Sequence, residues 1–142
     1  MTRWVLDTNV YVRASRDREA RRALDAFHDR YFARTDFAAT VWFELQIGVR
    51  SPAEQTDLDA LVRPLAVLTP SARAFQQAGR VLAALHGREG LDPAAVRPSF
   101  HHDILLACTL REHRRTLITY NTDDFTRIQR HLKGFRFVRP FP

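Results

Sequence analysis

Short apolar runs alternate with longer segments of helical periodicity along this chain. Strands are predicted at Arg3–Leu6, Thr35–Ala39, Leu65–Leu68, Leu117–Thr119 and Phe135–Val138. Helices are predicted over about Asp17–Ala33, Thr40–Val49 with Thr40 as its cap, Ala53–Val62, Ala72–His86, His102–His113 and Phe125–Leu132, with a loop at Gly87–Ser99. This alternation favours an α/β domain with a mainly parallel central sheet. We expect residues 1–142 to form a single domain.

Four acidic residues lie at the edges of these apolar runs, in four separate segments: Asp7, Glu44, Asp103 and Asp124. Asp7 and Asp124 follow predicted strands, and Glu44 and Asp103 lie near predicted helix starts. Active sites of parallel sheets gather beyond the carboxyl ends of the strands, where helix starts also face. Carboxylates beside a core are costly unless they are paired or bind a cation. If folding brings the four together, hard divalent cations are their natural partners.

The composition favours a partner that carries phosphate or acidic groups. The net charge is +6, and Arg far outnumbers Lys, of which Lys133 is the only one. No apolar run approaches the roughly 20 residues of a membrane helix, and no secretory signal is visible. The single cysteine, Cys108, excludes an internal disulfide and is expected to be a small buried residue. We therefore expect a cytoplasmic protein without a membrane partner.

Four short motifs around these acids, in this order and spacing, resemble those of the PIN-domain ribonucleases, and among them the VapC-type toxins of toxin–antitoxin pairs. The motifs are Leu6-Asp7-Thr8-Asn9-Val10, Glu44-Leu45-Gln46-Ile47-Gly48, Asp103-Ile104-Leu105-Leu106-Ala107 and Thr119-Tyr120-Asn121-Thr122-Asp123-Asp124-Phe125. The resemblance implies a three-layer α/β/α fold and metal-dependent hydrolysis of RNA. It also implies Mg²⁺ or Mn²⁺ as cofactor, a cognate antitoxin as partner, and a homodimer.

The same resemblance assigns roles to the acids by position. Asp7, Glu44 and Asp103 match the three most regular acids of the family, and Asp124 matches the acid of the variable last motif. Asp7 and Asp103 are expected as direct metal ligands, while Glu44 ligates or orients the attacking water. Asp124 completes the site or holds a second ion, with Asp123 or Asn121 as alternatives for this role.

Neighbouring polar residues are candidates for supporting roles. Thr8 and Thr119 either hydrogen-bond the carboxylates or a metal-bound water, or only stabilise their turns. Asn9 and Asn121 either stabilise their own turns or contact the substrate. Two basic side chains that follow the first motif either reach RNA phosphates or lie on a solvated helix face: Arg13 and Arg16.

Several other interpretations compete with this hypothesis. The acids could act as helix caps or as exposed helix residues. The protein could be a PIN-type RNA- or DNA-processing nuclease without an antitoxin, or a non-catalytic RNA-binding module of the same fold. A zinc site at His101-His102 is disfavoured, because adjacent helix residues point apart and no ligand lies at metal spacing nearby. A receiver-like phosphotransferase needs a late Lys, and Lys133 is poorly placed for it.

Overall fold

A parallel five-stranded sheet with α-helices packed on it forms the body of the protein. The computed structural model describes residues 1–142, apart from the side chain of Pro93. The strands are β1 (Trp4–Leu6), β2 (Thr35–Ala38), β3 (Val67–Leu68), β4 (Thr116–Ile118) and β5 (Arg136–Val138). The helices are α1 (Thr8–Arg16), α2 (Arg18–Tyr31), α3 (Ala39–Ile47), α4 (Pro52–Val62), α5 (Ala72–Glu89), α6 (Pro98–Glu112) and α7 (Thr122–Gln129), with 3₁₀ turns at Phe32–Arg34 and Pro93–Ala95. The predicted α/β class with a three-layer α/β/α arrangement is confirmed.

The order in which strands are added across the sheet reverses at β1, the central strand. The order is β3-β2-β1-β4-β5, and every neighbouring pair is parallel. Val5 of β1 is level with Asp36 of β2 on one side and with Leu117 of β4 on the other. The chain fills the sheet outward from β1 in one direction, then returns to add β4 on the other side. The crevice between the ends of β1 and β4 is therefore the switch point where such folds place their sites.

Both faces of the sheet are covered. Val5, Leu6, Phe37, Leu117 and Ile118 are fully buried. Runs of apolar residues without a polar face are typical of a parallel sheet between two helical layers. The core thus continues on both sides of β1 and β4, and holds their carboxyl ends in fixed positions.

Local sequence signals set most helix boundaries. The side chain of Asp17 accepts a hydrogen bond from the Ala20 amide at 3.0 Å and begins α2. Ser71 accepts one from the Ala74 amide at 3.0 Å and begins α5. Gly90 ends α5 with a positive φ of 67°, a conformation that glycine adopts without steric cost.

Several details of the predicted elements are wrong, and α1 was not predicted as a helix. Thr40 does not cap α3, which begins at Ala39 after Ala38, so Glu44 lies in the second turn. Pro98 begins α6 earlier than predicted, because proline suits the first helical position, and Asp103 also lies in the second turn rather than at the helix start. The predicted Gly87–Ser99 loop is shorter, since α5 continues to Glu89.

Cys108 is buried as predicted, with 2% of its surface exposed. None of the helices that the structure describes has the length and apolar character needed to cross a membrane.

Candidate metal-binding and catalytic site

Asp7 lies at the switch point, directly after β1, and is 3% exposed. Its backbone amide donates to the carbonyl of Ile118 at 2.9 Å, which fixes it against β4. Its Oδ1 accepts from the Thr8 amide at 2.8 Å, so Asp7 is also the cap of α1. Its Oδ2 accepts from Oγ1 of Thr119 at 2.7 Å and from Nδ2 of Asn9 at 3.2 Å. Asp7 can therefore cap α1 and also belong to the site, because Oδ1 forms the cap and Oδ2 faces Thr119 and Asn9.

Glu44 reaches the same crevice from the second turn of α3. Its Oε1 accepts a hydrogen bond from Oγ1 of Thr8 at 2.7 Å. Its Oε2 lies 3.7 Å from Nδ1 of His102 on α6. Thr8 follows Asp7 directly and thus links Glu44 to the Asp7 turn. The Glu44 side chain is directed into the crevice rather than into solvent.

Asp103 and Asp124 share one amide donor. Nδ2 of Asn121 lies 3.3 Å from Oδ2 of Asp103 and 3.1 Å from Oδ2 of Asp124. Asp103 is 7% exposed, and Asp124, in the first turn of α7, is only slightly exposed. Asn121 therefore occupies a bridging position between two acids. Asp123, the sequence alternative for the fourth role, is exposed.

The hydroxyl of Thr119 organises the turn after β4. It donates to Asp7 and accepts from Nδ2 of Asn9 at 3.2 Å and from the amide of Asn121 at 2.9 Å. Oδ1 of Asn9 in turn accepts from the amide of Tyr120 at 3.2 Å. All four predicted supporting residues, Thr8, Asn9, Thr119 and Asn121, therefore hydrogen-bond within this network.

We call Asp7, Glu44, Asp103 and Asp124 the acid cluster, because their charges act on one another. Burial, followed by the charges of Asp7, Glu44 and Asp124, raises the pKa of Asp103 to about 8. Burial also raises the pKa of Asp7 to about 6, against hydrogen bonds that lower it, and the charge of Glu44 adds to the rise. Four segments that are distant in sequence thus concentrate negative charge in one crevice.

The donor set of the cluster fits a hard divalent cation. It offers carboxylate oxygens surrounded by hydroxyl and amide groups, the ligand chemistry that Mg²⁺ and Mn²⁺ take. Among the described residues, no three His, Cys, Asp or Glu side chains converge closely enough to form a ready-made metal cage. Each carboxylate is instead turned toward a protein donor, which reduces the repulsion between like charges. A cation bound among them would relieve the same repulsion directly, with water completing its coordination.

The predicted RNA-binding arginines both lie on α1, exposed, but in different surroundings. The guanidinium of Arg13 stacks over the ring of Tyr120, 4.4 Å from its centroid, and so borders the turn that holds Asn121. Arg16 lines a groove of about 880 Å³ formed by α1, α2, α3 and α4, which Glu44 also lines.

Two residues at the cluster were not predicted. His102 was considered only for a zinc site with His101, but it faces Glu44 and the ring of Phe43, at 5.3 Å between centroids. Arg97 forms an ion pair with Asp124, its Nη2 3.1 Å from Oδ2. No sequence signal distinguishes Arg97 from the many other arginines, because its contact depends on how α6 packs against α7.

Comparison with known proteins places this geometry in a family. No curated protein sequence matches the chain significantly. Among solved structures, similar folds occur in the DNA-bound VapBC of Salmonella typhimurium (TM-score 0.75, 22% identity, 99% of this chain and 100% of that chain covered). They also occur in VapBC-1 of nontypeable Haemophilus influenzae (TM-score 0.73, 18% identity, 96% of each chain).

A third similar fold is VapBC2 of Rickettsia felis bound to a promoter DNA fragment (TM-score 0.69, 22% identity, 96% and 97% covered). At such identities these likenesses show a shared fold. The family model of the PIN domain matches residues 4–131, which include all four members of the acid cluster. The chain therefore belongs to the PIN domain family, whose members are nucleases.

Proposed function

We propose that this protein is a Mg²⁺- or Mn²⁺-dependent ribonuclease and the toxin of a type II toxin–antitoxin pair. One observation carries the proposal: Asp7, Glu44, Asp103 and Asp124 come from four distant segments and are joined at the switch point by hydrogen bonds to Thr8, Thr119 and Asn121. A fold has no structural need to gather like charges beside its core. The arrangement is therefore best explained by a ligand of opposite charge.

The proposed reaction is hydrolysis of a phosphodiester: one bond forms between water oxygen and phosphorus, and one bond from phosphorus to a nucleoside oxygen breaks. A bound divalent cation supplies a water of lowered pKa and neutralises developing charge on the phosphate. Asp7 and Asp103 would hold it, because they are the most deeply buried members of the cluster. Glu44, oriented by Thr8, would ligate it or orient the attacking water. Asp124, through Asn121, would complete the site.

RNA is the substrate we propose, and the charge distribution supports a phosphate-bearing strand. The protein is basic overall although its crevice is acidic, so positive charge is concentrated on the remaining surface. Arg13 beside Tyr120 presents a guanidinium at the margin of the crevice. A strand bound there would place a phosphate over the acid cluster and adjacent phosphates against such cations.

We propose an antitoxin as protein partner and the cytoplasm as the place of action. The structural neighbours are VapBC toxin–antitoxin complexes. The groove between α1 and α4 contains apolar residues such as Leu24 and Leu61 beside charged ones such as Arg16, and it reaches Glu44. An antitoxin helix in this groove would lie next to the acid cluster and could cover it with a basic side chain.

We also propose a homodimer formed through α3 and α5. Helix α3 exposes large apolar side chains: Val41 is buried, whereas Phe43 is 57% and Ile47 is 58% exposed. Phe75 on α5 is 60% exposed and lines an apolar pocket together with Phe43. Contiguous exposed apolar side chains mark a protein contact surface, so a second copy is the occupant we propose for this face.

The central test is cleavage of a mixed single-stranded RNA by purified protein with Mn²⁺, against the same reaction with EDTA. Asp7→Asn and Asp103→Asn should each reduce the rate at least roughly a hundredfold, since each removes a ligand charge. Asp29→Asn, an exposed carboxylate on α2, is the matched control and should retain full activity. Equal rates in the wild type and Asp7→Asn would indicate a contaminating nuclease and contradict the proposal.

The same preparations separate the alternatives. RNA binding without metal-dependent cleavage would favour a non-catalytic module. Cleavage of RNA or DNA by a protein whose expression does not arrest growth, and which no neighbouring gene product silences, would favour a processing nuclease. Growth arrest that Asp7→Asn abolishes and a co-expressed neighbour prevents is the outcome we expect for a toxin.

A further inference from the structure

Arg97 brings a positive charge into direct contact with the acid cluster. Its Nη2 lies 3.1 Å from Oδ2 of Asp124, with 70% of the arginine side chain and 17% of the aspartate side chain exposed. The chain therefore supplies its own cation at the site where a divalent cation is proposed.

The contact competes directly with metal binding at Asp124. The oxygen that receives Arg97 is the same Oδ2 that receives Nδ2 of Asn121 at 3.1 Å. A divalent cation at this oxygen needs the lone pairs that these donors use, and it repels the guanidinium charge. Arg97 and a metal ion at Asp124 are therefore mutually exclusive occupants of that atom.

Displacing the guanidinium costs little, and it leaves Arg97 close by. Ion pairs with a largely exposed partner stabilise a fold only weakly. The backbone of Arg97 is fixed at the start of α6, where its carbonyl accepts from the amide of Phe100 at 2.9 Å, directly before Pro98. The Arg97 side chain can therefore change conformation while its backbone stays fixed at the edge of the crevice.

We propose that Arg97 is a phosphate-binding residue that rests on Asp124 until a divalent cation takes that carboxylate. This inference rests on the proposed nuclease function. The released guanidinium presents a planar fork of donors that matches two oxygens of a phosphodiester. Its ligand is the RNA strand that lies across the crevice. Arg97 thereby couples the arrival of the metal to the gain of a substrate contact.

Two measurements on the whole protein test this inference without using turnover. Calorimetric titration with Mn²⁺ alone should show about threefold tighter binding in Arg97→Gln than in the wild type, the size of an exposed ion pair. Anisotropy of a fluorescein-labelled single-stranded RNA, with Ca²⁺ as a non-reactive divalent ion, should show roughly tenfold weaker binding in the same variant. Arg97→Lys, which keeps the charge but loses the fork, should recover the Mn²⁺ affinity of the wild type but only part of the RNA affinity.

Arg127→Gln is the matched control for charge. Arg127 lies on α7 one turn beyond Asp124, and its guanidinium packs over the ring of Phe100, 5.4 Å from the centroid. The Arg127→Gln variant should keep Mn²⁺ and RNA affinities near their wild-type values. Equal effects of Arg97→Gln and Arg127→Gln would show that only the net charge of the protein matters, and would overturn the inference. Unchanged Mn²⁺ affinity or unchanged RNA affinity in Arg97→Gln would overturn it as well. If the wild type binds no Mn²⁺, the proposed function itself fails; if it binds Mn²⁺ and only the Arg97 effects are missing, the inference alone fails.

Discussion

At the scale of single residues, one hydroxyl group connects the two central strands of the site. Thr119 is fully buried, and its Oγ1 serves Asp7, Asn9 and the amide of Asn121. Each of these partners would otherwise hold a polar group away from water. The position of Asp7 relative to the turn after β4 therefore depends on this one atom.

Thr119→Val should destabilise the protein by about 1–3 kcal/mol, because the shape is kept while the buried partners lose their hydrogen bonds. Thr109→Val is the control: Thr109 is equally buried, but its hydroxyl only contacts the carbonyl of Leu105 in its own helix, at 2.8 Å. Urea denaturation at neutral pH measures both. Similar losses in the two variants would show that the network around Asp7 contributes no special stability.

The buried acids make the stability of the metal-free protein depend on pH. The folded-state pKa is about 6 for Asp7 and about 8 for Asp103, above the value of 3.8 that an ordinary Asp has. Between these values the folded protein keeps protons that the unfolded chain has released. Its free energy of unfolding must therefore fall as pH rises through this window.

We expect a loss on the order of 3 kcal/mol between about pH 5 and pH 8 in EDTA, measured by urea denaturation. Asp103→Asn should remove most of this dependence, and Mg²⁺ should restore stability at the alkaline end. A wild-type stability that is flat or rises across the window would contradict the electrostatic account of the cluster.

At the scale of secondary-structure elements, the opposite end of the sheet is held by a different ion-pair arrangement. Asp36 in β2 is 2% exposed. It accepts from Nη2 of Arg3, before β1, at 2.7 Å and from Nε of Arg115, before β4, at 2.6 Å. Burial raises the pKa of Asp36, but these two cations outweigh it and leave that pKa below its ordinary value. Three strands are thus joined at their amino ends by one carboxylate.

Asp36→Asn should cost about 2–3 kcal/mol of folding stability, since two partly buried guanidinium groups lose their charged partner. Asp25→Asn removes an exposed partner of Arg21 on α2 and should change stability by less than about 0.5 kcal/mol. Thermal unfolding monitored by circular dichroism compares them. If Asp36→Asn costs no more than Asp25→Asn, the arrangement is dispensable for the fold.

The elements themselves are mostly predictable from local patterns, and the contacts that matter for the site are less so. Apolar runs predict all five strands, and the Ser71 turn predicts the start of α5. The switch-point geometry follows once a parallel sheet is inferred. The Arg97 contact and the sharing of Asn121 between two acids depend on how α6 and α7 pack together, and no local pattern contains that information. Pro98 was available as a start signal for α6 and was assigned to the loop instead.

At the scale of the whole molecule, apolar surface remains uncovered on α3 and α5. Phe43 and Phe75 border one apolar pocket next to His102, close to the acid cluster. If this face pairs with a second copy, the two crevices would lie near a common interface. A dimer would then offer RNA a longer basic surface than one subunit can.

The double substitution Phe43→Asp with Phe75→Asp should convert a dimer into a monomer, because charges on both copies would face each other in an apolar contact. Phe32→Asp, at a 43% exposed phenylalanine elsewhere, should leave the oligomeric state unchanged. Light scattering after size-exclusion chromatography gives the mass directly. A wild-type protein that elutes as a monomer at high concentration would contradict the proposed pairing.

The order of strands in the sheet has a consequence for how the protein comes into being on the ribosome. Strand β4 is an interior strand beside the central β1, yet it is translated fourth, and Asp103 and Asp124 flank it in the sequence. A nascent chain that has emerged only as far as α5 holds β1 with one open edge and half of the acids. Such a chain can neither close its sheet nor concentrate the charge that attracts a metal ion. The proposed hydrolytic activity would therefore appear only near the end of synthesis, so the proposed antitoxin would have the whole period of translation in which to become available.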